Sequence, residues 1–273
     1  MEKRGGLPTL HEPSRVAEYV DRLQGSGRYT FNEGEVARSC GGSGIARQAA
    51  LRRLKTKGRV VSPRRGFFLI VPIEYRSAGS PPPSWFIEDL MAYLEQPYYV
   101  GLLSAAEIHG AAHQRPQVFQ IITDMPTRPL RVGRIRIEFH RNRNIREVPI
   151  QRMKTETGSM RVSTPETTAL DLVRYAEASG FLDNVATVLI ELAERINPDR
   201  LAKTAALGQH PDAQRLGYLL DRIGLKNVAG PLARLVASWR RHPVLLSPGK
   251  RARGFQHDPR WYVVPNEEVT AEL

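Results

Sequence analysis

The sequence holds a single cysteine, Cys40, in 273 residues. One thiol excludes an intramolecular disulfide and any cysteine-based zinc site within the chain, and it suits a reducing compartment. Cys40 itself reads as a small core residue. No apolar run approaches the roughly 20 residues of a membrane span, and the N-terminus lacks the apolar core of a signal peptide, so a cytoplasmic protein with no membrane partner is expected. Catalytic signatures are missing too. There is no Gly-x-Ser-x-Gly elbow, no His-Glu-x-x-His, and no Asp-x-Asp or Asp-x-Glu pair to hold magnesium, behind Gly158-Ser159 or elsewhere. Neither an enzyme nor a cofactor is expected. His109 and His113 stand four apart, but Glu107 is explained by capping and no other acid or cysteine is near, so no metal is assigned.

The most informative absence is of acids. Between Val36 and Ile73 there is no Asp or Glu, while nine basic residues occur: Arg38, Arg47, Arg52, Arg53, Lys55, Lys57, Arg59, Arg64 and Arg65. The net charge of +12 is concentrated accordingly, with +8 in residues 1–79, +2 in 80–160 and +2 in 161–273. An excess confined to one small region points to a nucleic-acid partner. A solvated face, by contrast, usually mixes signs.

The same stretch, 32–72, parses as short helix, glycine turn, longer helix and a two-stranded wing, which is a winged helix-turn-helix. Asn32 caps the first helix with Glu35 reaching back, and Val36, Ala37 and Cys40 face inward. Gly41, Gly42 and Gly44 permit the change of direction, and Ser43 caps the second helix. There Ala50, Leu51 and Leu54 lie on one face and Gln48, Arg52, Arg53 and Thr56 on the other. Gly58 ends it, and Val60-Val61 and Phe67 to Val71 flank a Ser-Pro-Arg-Arg-Gly turn. Gln48 and Arg52, one turn apart, are assigned to base edges, because glutamine pairs bidentately with adenine and guanidinium with guanine. Arg47 is assigned to a phosphate at the groove edge. Ser43, Arg53, Lys55, Arg64 and Arg65 are likewise assigned to phosphates of double-stranded DNA.

Elsewhere, Met1 to Pro13 reads as irregular, and Ser14 caps a scaffold helix with Val16, Val20 and Leu23 inward. Tyr29 to Phe31 suits a short strand. A proline-rich linker, Arg76 to Pro83, separates residues 1–78 from a second domain, 84–273. Helix starts are expected at Ser84 and at the capping box Ser104-Ala-Ala-Glu107. Strands are expected at Gln117 to Thr123 and Arg134 to His140. From Ser163-Thr164-Pro165-Glu166 onward the chain is helical: about 182–196, 198–207, 212–223 and 228–239, then a basic loop, Lys250 to Arg253, and an edge strand at Trp261 to Val264. The fold class is α+β: a winged helix-turn-helix and a larger, helix-rich domain with a small sheet.

Three segments carry a resemblance. Tyr98-Tyr-Val-Gly-Leu-Leu-Ser-Ala-Ala-Glu-Ile-His-Gly-Ala-Ala-His-Gln-Arg-Pro-Gln-Val-Phe, Ser163-Thr-Pro-Glu-Thr-Thr-Ala-Leu-Asp-Leu-Val and Gln214-Arg-Leu-Gly-Tyr-Leu-Leu resemble the AbiEi family of type IV antitoxins. The resemblance implies a partner toxin of nucleotidyltransferase type, with no stable complex required. It also implies an N-terminal domain that binds inverted repeats in its own operator and represses transcription, and a C-terminal domain that supplies antitoxicity. Cys40-Gly-Gly-Ser-Gly departs from it, being longer than a tight helix-turn-helix turn. Residues 128–154 hold nine basic residues and two acids. Arg134, Arg136, Arg141 and Arg143 of this strand and loop form the candidate antitoxicity surface, against a solvated strand as the plain reading. Two alternatives from other classes stand beside this one: a protein that captures a toxin directly, and a winged-helix regulator answering to a small ligand.

Overall fold

The computed structural model describes residues 15–111, 117–252, 254 and 256–271. Met1 to Pro13, the Ser14 cap, His113 and Arg253 lie outside them. The chain mixes helix and strand, with 46% of residues helical and 18% in strands. It divides into two compact units, Met1–Leu90 with Arg131–Ile135, and Met91–Leu130 with Arg136–Leu273.

In the first unit, α1 (Arg15–Gly25) turns Val16, Tyr19 and Val20 inward. After β1 (Thr30–Asn32) comes α2 (Glu33–Ser39), begun by a reciprocal capping box between Asn32 and Glu35. Ser43 caps α3 (Gly44–Thr56) by accepting from the Ala46 amide at 3.2 Å. β2 (Val60–Arg64) and β3 (Phe67–Ile70) form an antiparallel hairpin, and β1 pairs β3, giving the order β1-β3-β2. Val20, Phe31, Val36, Cys40, Leu51, Leu54 and Ile70 close the core between helices and sheet. Ala37 faces solvent instead of joining them, because one short helix turn can bury only the i, i+4 pair Val36 and Cys40. Burial pushes the Cys40 thiol up, so it stays protonated and inert. Three-ten turns at Ile73–Tyr75 and Pro83–Trp85 follow, with the Trp85 ring packed against Tyr29 and Tyr75. The expected start at Ser84 therefore falls within a three-ten turn, and α4 (Ile87–Tyr93) begins only beyond Phe86.

The second unit is built on β4 (Tyr98–Val100), α5 (Leu102–Ile108), β5 (Phe119–Thr123), β7 (Ile135–Arg141), β8 (Ile150–Thr155) and β9 (Gly158–Ser163), and β6 (Leu130–Val132) runs into the segment 131–135 grouped with the first unit. Their order is β6-β7-β5-β4-β9-β8. The sheet is mixed: β4–β5 and β8–β9 are antiparallel, β5–β7 and β4–β9 parallel. With six strands it is larger than the small sheet expected from sequence. The expected capping box at Ser104 is also corrected. α5 starts at Leu102, and the buried Ser104 hydroxyl instead donates to the Val118 carbonyl and accepts from the Gln120 amide.

Five helices complete this unit: α6 (Pro165–Arg174), α7 (Phe181–Leu192), α8 (Pro198–Ala206), α9 (His210–Arg222) and α10 (Lys226–Ala237). α6 is central. Capped by Thr164 with proline at its first position, it buries every residue from Glu166 to Val173 and packs on α5, α7, α8 and α9. A short parallel pair, β10 (Val244–Leu245) and β11 (Val263–Val264), closes the chain over α9. β11 is shorter than expected because Trp261 is buried and Tyr262 takes a left-handed backbone, φ 55°.

Candidate nucleic-acid interface

Helical spacing divides α3 into two faces. Ala50, Leu51 and Leu54 are buried, and Gln48, Arg52, Arg53 and Lys55 are exposed. Ile45, Gln48, Ala49, Arg52 and Thr56 all lie within about 100° of the helix circumference, forming a continuous outward stripe. Arg53 and Lys55 flank it, one on each side. Ile45 is 83% exposed. That apolar side chain, with Ala49 one turn on, was not assigned from sequence; the signal was its helical phase with Gln48 and Arg52. Neither Gln48 nor Arg52 has a side-chain partner among the described residues.

The flanking cations are positioned individually. Arg47 is half-buried and its Nη1 donates to the Gly42 carbonyl, which folds the guanidinium back over the turn before α3. Gly42 needs its positive φ of 85° to make that turn. The Lys55 ammonium lies 4.9 Å from the Phe68 ring centroid. Arg64 is half-buried at the end of β2, and Arg65 is exposed beside Gly66. Arg59 pairs with Asp21 and Arg28 with Glu35, so part of the positive charge of this unit is answered internally.

The second unit carries a different chemistry, a buried polar network on α6 and α9. The Tyr99 hydroxyl donates to Asp171 at 2.8 Å. Arg174 pairs with Asp212 at 2.6 Å and Arg215 joins Asp212 at 3.5 Å. Glu166 accepts the Asn197 amide, and Thr168 and Ser163 share a hydrogen bond of 2.7 Å. On α9 the buried Gln214 amide donates to the carbonyls of Trp261 and His242, at 2.9 and 3.1 Å. His109 donates through Nε2 to the Ser163 carbonyl at 2.8 Å, and its burial holds it neutral by pushing its pKa down. No group of three or more potential ligands for a metal ion occurs among the described residues.

Residues 99–222, which hold most of this network, match the family model of the AbiEi antitoxin C-terminal domain. Residues 99–222 are thereby assigned to the AbiEi antitoxin C-terminal domain family. A toxin is therefore its partner in general terms. The crystal structure of the RV2827C protein from Mycobacterium tuberculosis shares the fold, with a TM-score of 0.63 at 16% identity over 92% of this chain and 89% of that one. No curated protein sequence matches the chain. No helix among the described residues is long and apolar enough to cross a membrane.

The basic strand is less uniform than its sequence. Arg136 pairs with Glu138 at 2.5 Å, and the Arg141 Nε donates to the Asp124 carbonyl at 3.0 Å. Arg143 is exposed. Arg134 falls in segment 131–135, grouped with the first unit, whereas Arg136, Arg141 and Arg143 belong to the second.

Asp171 makes the network pH-sensitive. Burial raises its carboxyl to about 7 despite the opposing pull of Arg174 and Tyr99. The native state thus keeps a proton that the unfolded chain releases near pH 4, so this group lowers stability as pH rises from about 4 to 7, and the loss is complete above 7. Asp171→Asn keeps an acceptor for Tyr99 and removes the titration. Thermal unfolding at pH 5 and pH 8 is expected to show the variant gaining on the wild type at the higher pH; parallel shifts would exclude this assignment.

Proposed function

We propose that residues 1–78 form a winged helix-turn-helix that binds inverted repeats in the operator of the antitoxin's own operon and represses transcription. Residues 84–273 then act as the antitoxicity domain, against a nucleotidyltransferase-like toxin in a type IV arrangement that needs no stable complex. The observation carrying this reading is the outward stripe of α3, in which Gln48 and Arg52 have no side-chain partner among the described residues and no acid lies between Val36 and Ile73. α3 supplies base contacts, and Ser43, Arg47, Arg53, Lys55, Arg64 and Arg65 supply phosphate contacts that fix register. Fluorescence anisotropy on the upstream DNA and on a scrambled duplex, across a salt series, tests it. Specific binding with a steep salt dependence is expected, and equal weak affinity for both duplexes would overturn the reading.

Ile45 and Ala49 extend it. Apolar side chains in the major groove meet the thymine methyl, so replacing operator thymines by uracil is expected to weaken wild-type binding several-fold. Ile45→Ala should weaken binding to the thymine operator and respond less to uracil. An unchanged thymine-to-uracil ratio in the variant would remove Ile45 from the reading surface.

The candidate antitoxicity surface gives a separate check. Arg136→Ala/Arg141→Ala/Arg143→Ala should retain operator binding within two-fold and lose protection in a toxin co-expression assay. Full protection by this variant would leave these residues as a solvated strand.

A further inference from the structure

The second unit holds a cavity of about 390 Å³ that the operator reading does not use. Gln209, His210, Pro211 and Gln214 from the start of α9 form one wall, and Trp239, Arg240, Arg241 and His242 beyond α10 form the other, with Val244 at the base. Its lining contains two arginines and two histidines and no carboxylate. The volume lies in the range of small-ligand clefts, about 300–1,000 Å³.

Three features of the lining act together. The rings of His210 and Trp239 are stacked in parallel, 3.7 Å between centroids and 6° between planes. The Arg241 guanidinium is held by neutral groups: its Nη1 donates to the Arg260 carbonyl at 3.1 Å and its Cζ sits 4.2 Å from the Tyr262 ring centroid. Arg240 is exposed, and neither arginine has a carboxylate partner among the described residues. Three other arginines of the unit are paired with carboxylates, Arg174 and Arg215 with Asp212 and Arg260 with Asp221. Here two adjacent guanidiniums without a carboxylate partner among the described residues lie beside a flat aromatic surface.

We infer that this cavity binds a nucleoside phosphate, its base against the His210–Trp239 pair and its phosphate between Arg240 and Arg241. Planar guanidinium forks match phosphate oxygens, and stacked rings accept any base by its π-face. The same chemistry serves a free nucleotide or the end of a single strand. Trp239, Arg240, Arg241 and His242 lie outside the matched family segment, residues 99–222, whereas Gln209, His210, Pro211 and Gln214 lie within it. It stands independently of the operator reading.

Trp239 is a built-in reporter. Of the other two tryptophans, Trp85 packs against Tyr29 and Tyr75 and Trp261 is buried. Full-length protein is titrated with adenosine monophosphate, adenosine triphosphate, adenosine, inorganic phosphate and a short single-stranded oligonucleotide, following tryptophan emission. Saturable quenching by the phosphorylated nucleosides is expected, at least tenfold tighter than by adenosine and weakened by salt. Trp239→Phe should abolish the signal, and the exposed change Arg240→Glu should weaken binding at least tenfold while leaving the unfolding temperature unchanged. Tighter binding of the oligonucleotide than of the mononucleotide would assign the site to a strand end, and the reverse to a free nucleotide. No saturable change at millimolar nucleotide, or equal affinity in Arg240→Glu, would overturn the inference. Operator binding measured on the same preparations separates this failure from failure of the operator reading.

Discussion

The Gln48→Ala/Arg52→Ala variant is expected to lose about 100- to 1,000-fold in affinity for its own operator, while its affinity for scrambled DNA falls only a few-fold. Each bidentate base contact is worth about 1–3 kcal/mol of discrimination, and two of them together, at roughly 3–4 kcal/mol, give that factor. The prediction is sharp because both side chains are exposed and make no side-chain hydrogen bond or ion pair among the described residues, so their truncation leaves the core of Ala50, Leu51 and Leu54 untouched. Circular dichroism of the variant should match the wild type. The wing supplies the contrast. Arg64→Ala/Arg65→Ala removes phosphate contacts and no base contact, so it should weaken both duplexes alike and make the slope of log K against log salt shallower by roughly two. A base-reading role is excluded if the α3 variant weakens both duplexes equally.

How far such a surface can be read from sequence depends on how local its determinants are. The Asn32–Glu35 capping box, the Ser43 cap and the two faces of α3 are set by residues within one or two helical turns, and the chain spells them out. The same holds for the Thr164 cap and Pro165 of α6. Strands β8 and β9 were missed for the opposite reason. Arg152, Lys154 and Glu156 make that stretch look like a charged loop, and it becomes sheet only because β9 gains β4 as a partner through Val100 and Val162. Ser104 misled for a related cause: its hydroxyl serves Val118 and Gln120, across the sheet, and not its own helix. The quoted AbiEi segments were recognisable before their roles were. Glu166, Asp171, Gln214 and Arg215 look like exposed polar residues in sequence, and each is tied to a partner at least 28 residues away except where Asp212 and Arg215 meet on one helix.

Gly217 is the sharpest case of a role invisible in sequence, and its substitution is expected to have a large effect on stability. It lies inside α9, where alanine is normally favoured over glycine by about 1 kcal/mol. A Cβ added there would fall 2.0 Å from Cζ3 and 2.3 Å from Cε3 of Trp261. The indole has no room to yield. Trp261 is 1% exposed, its Nε1 donates to Asp221 at 2.6 Å, its amide to Asp258 at 2.7 Å, and its carbonyl accepts from Gln214 at 2.9 Å. Relieving the clash therefore costs the packing of the closing segment on α9 as well as overpacking strain, and Gly217→Ala should destabilise by about 3 kcal/mol net of the propensity gain. Trp261→Ala alone should cost about 3–5 kcal/mol. In that background the ring is gone, the propensity term is all that remains, and Gly217→Ala should become stabilising by up to about 1 kcal/mol. Urea unfolding of the four proteins measures this reversal of sign directly. Additive losses in the double variant would mean that Gly217 answers to something other than the Trp261 ring.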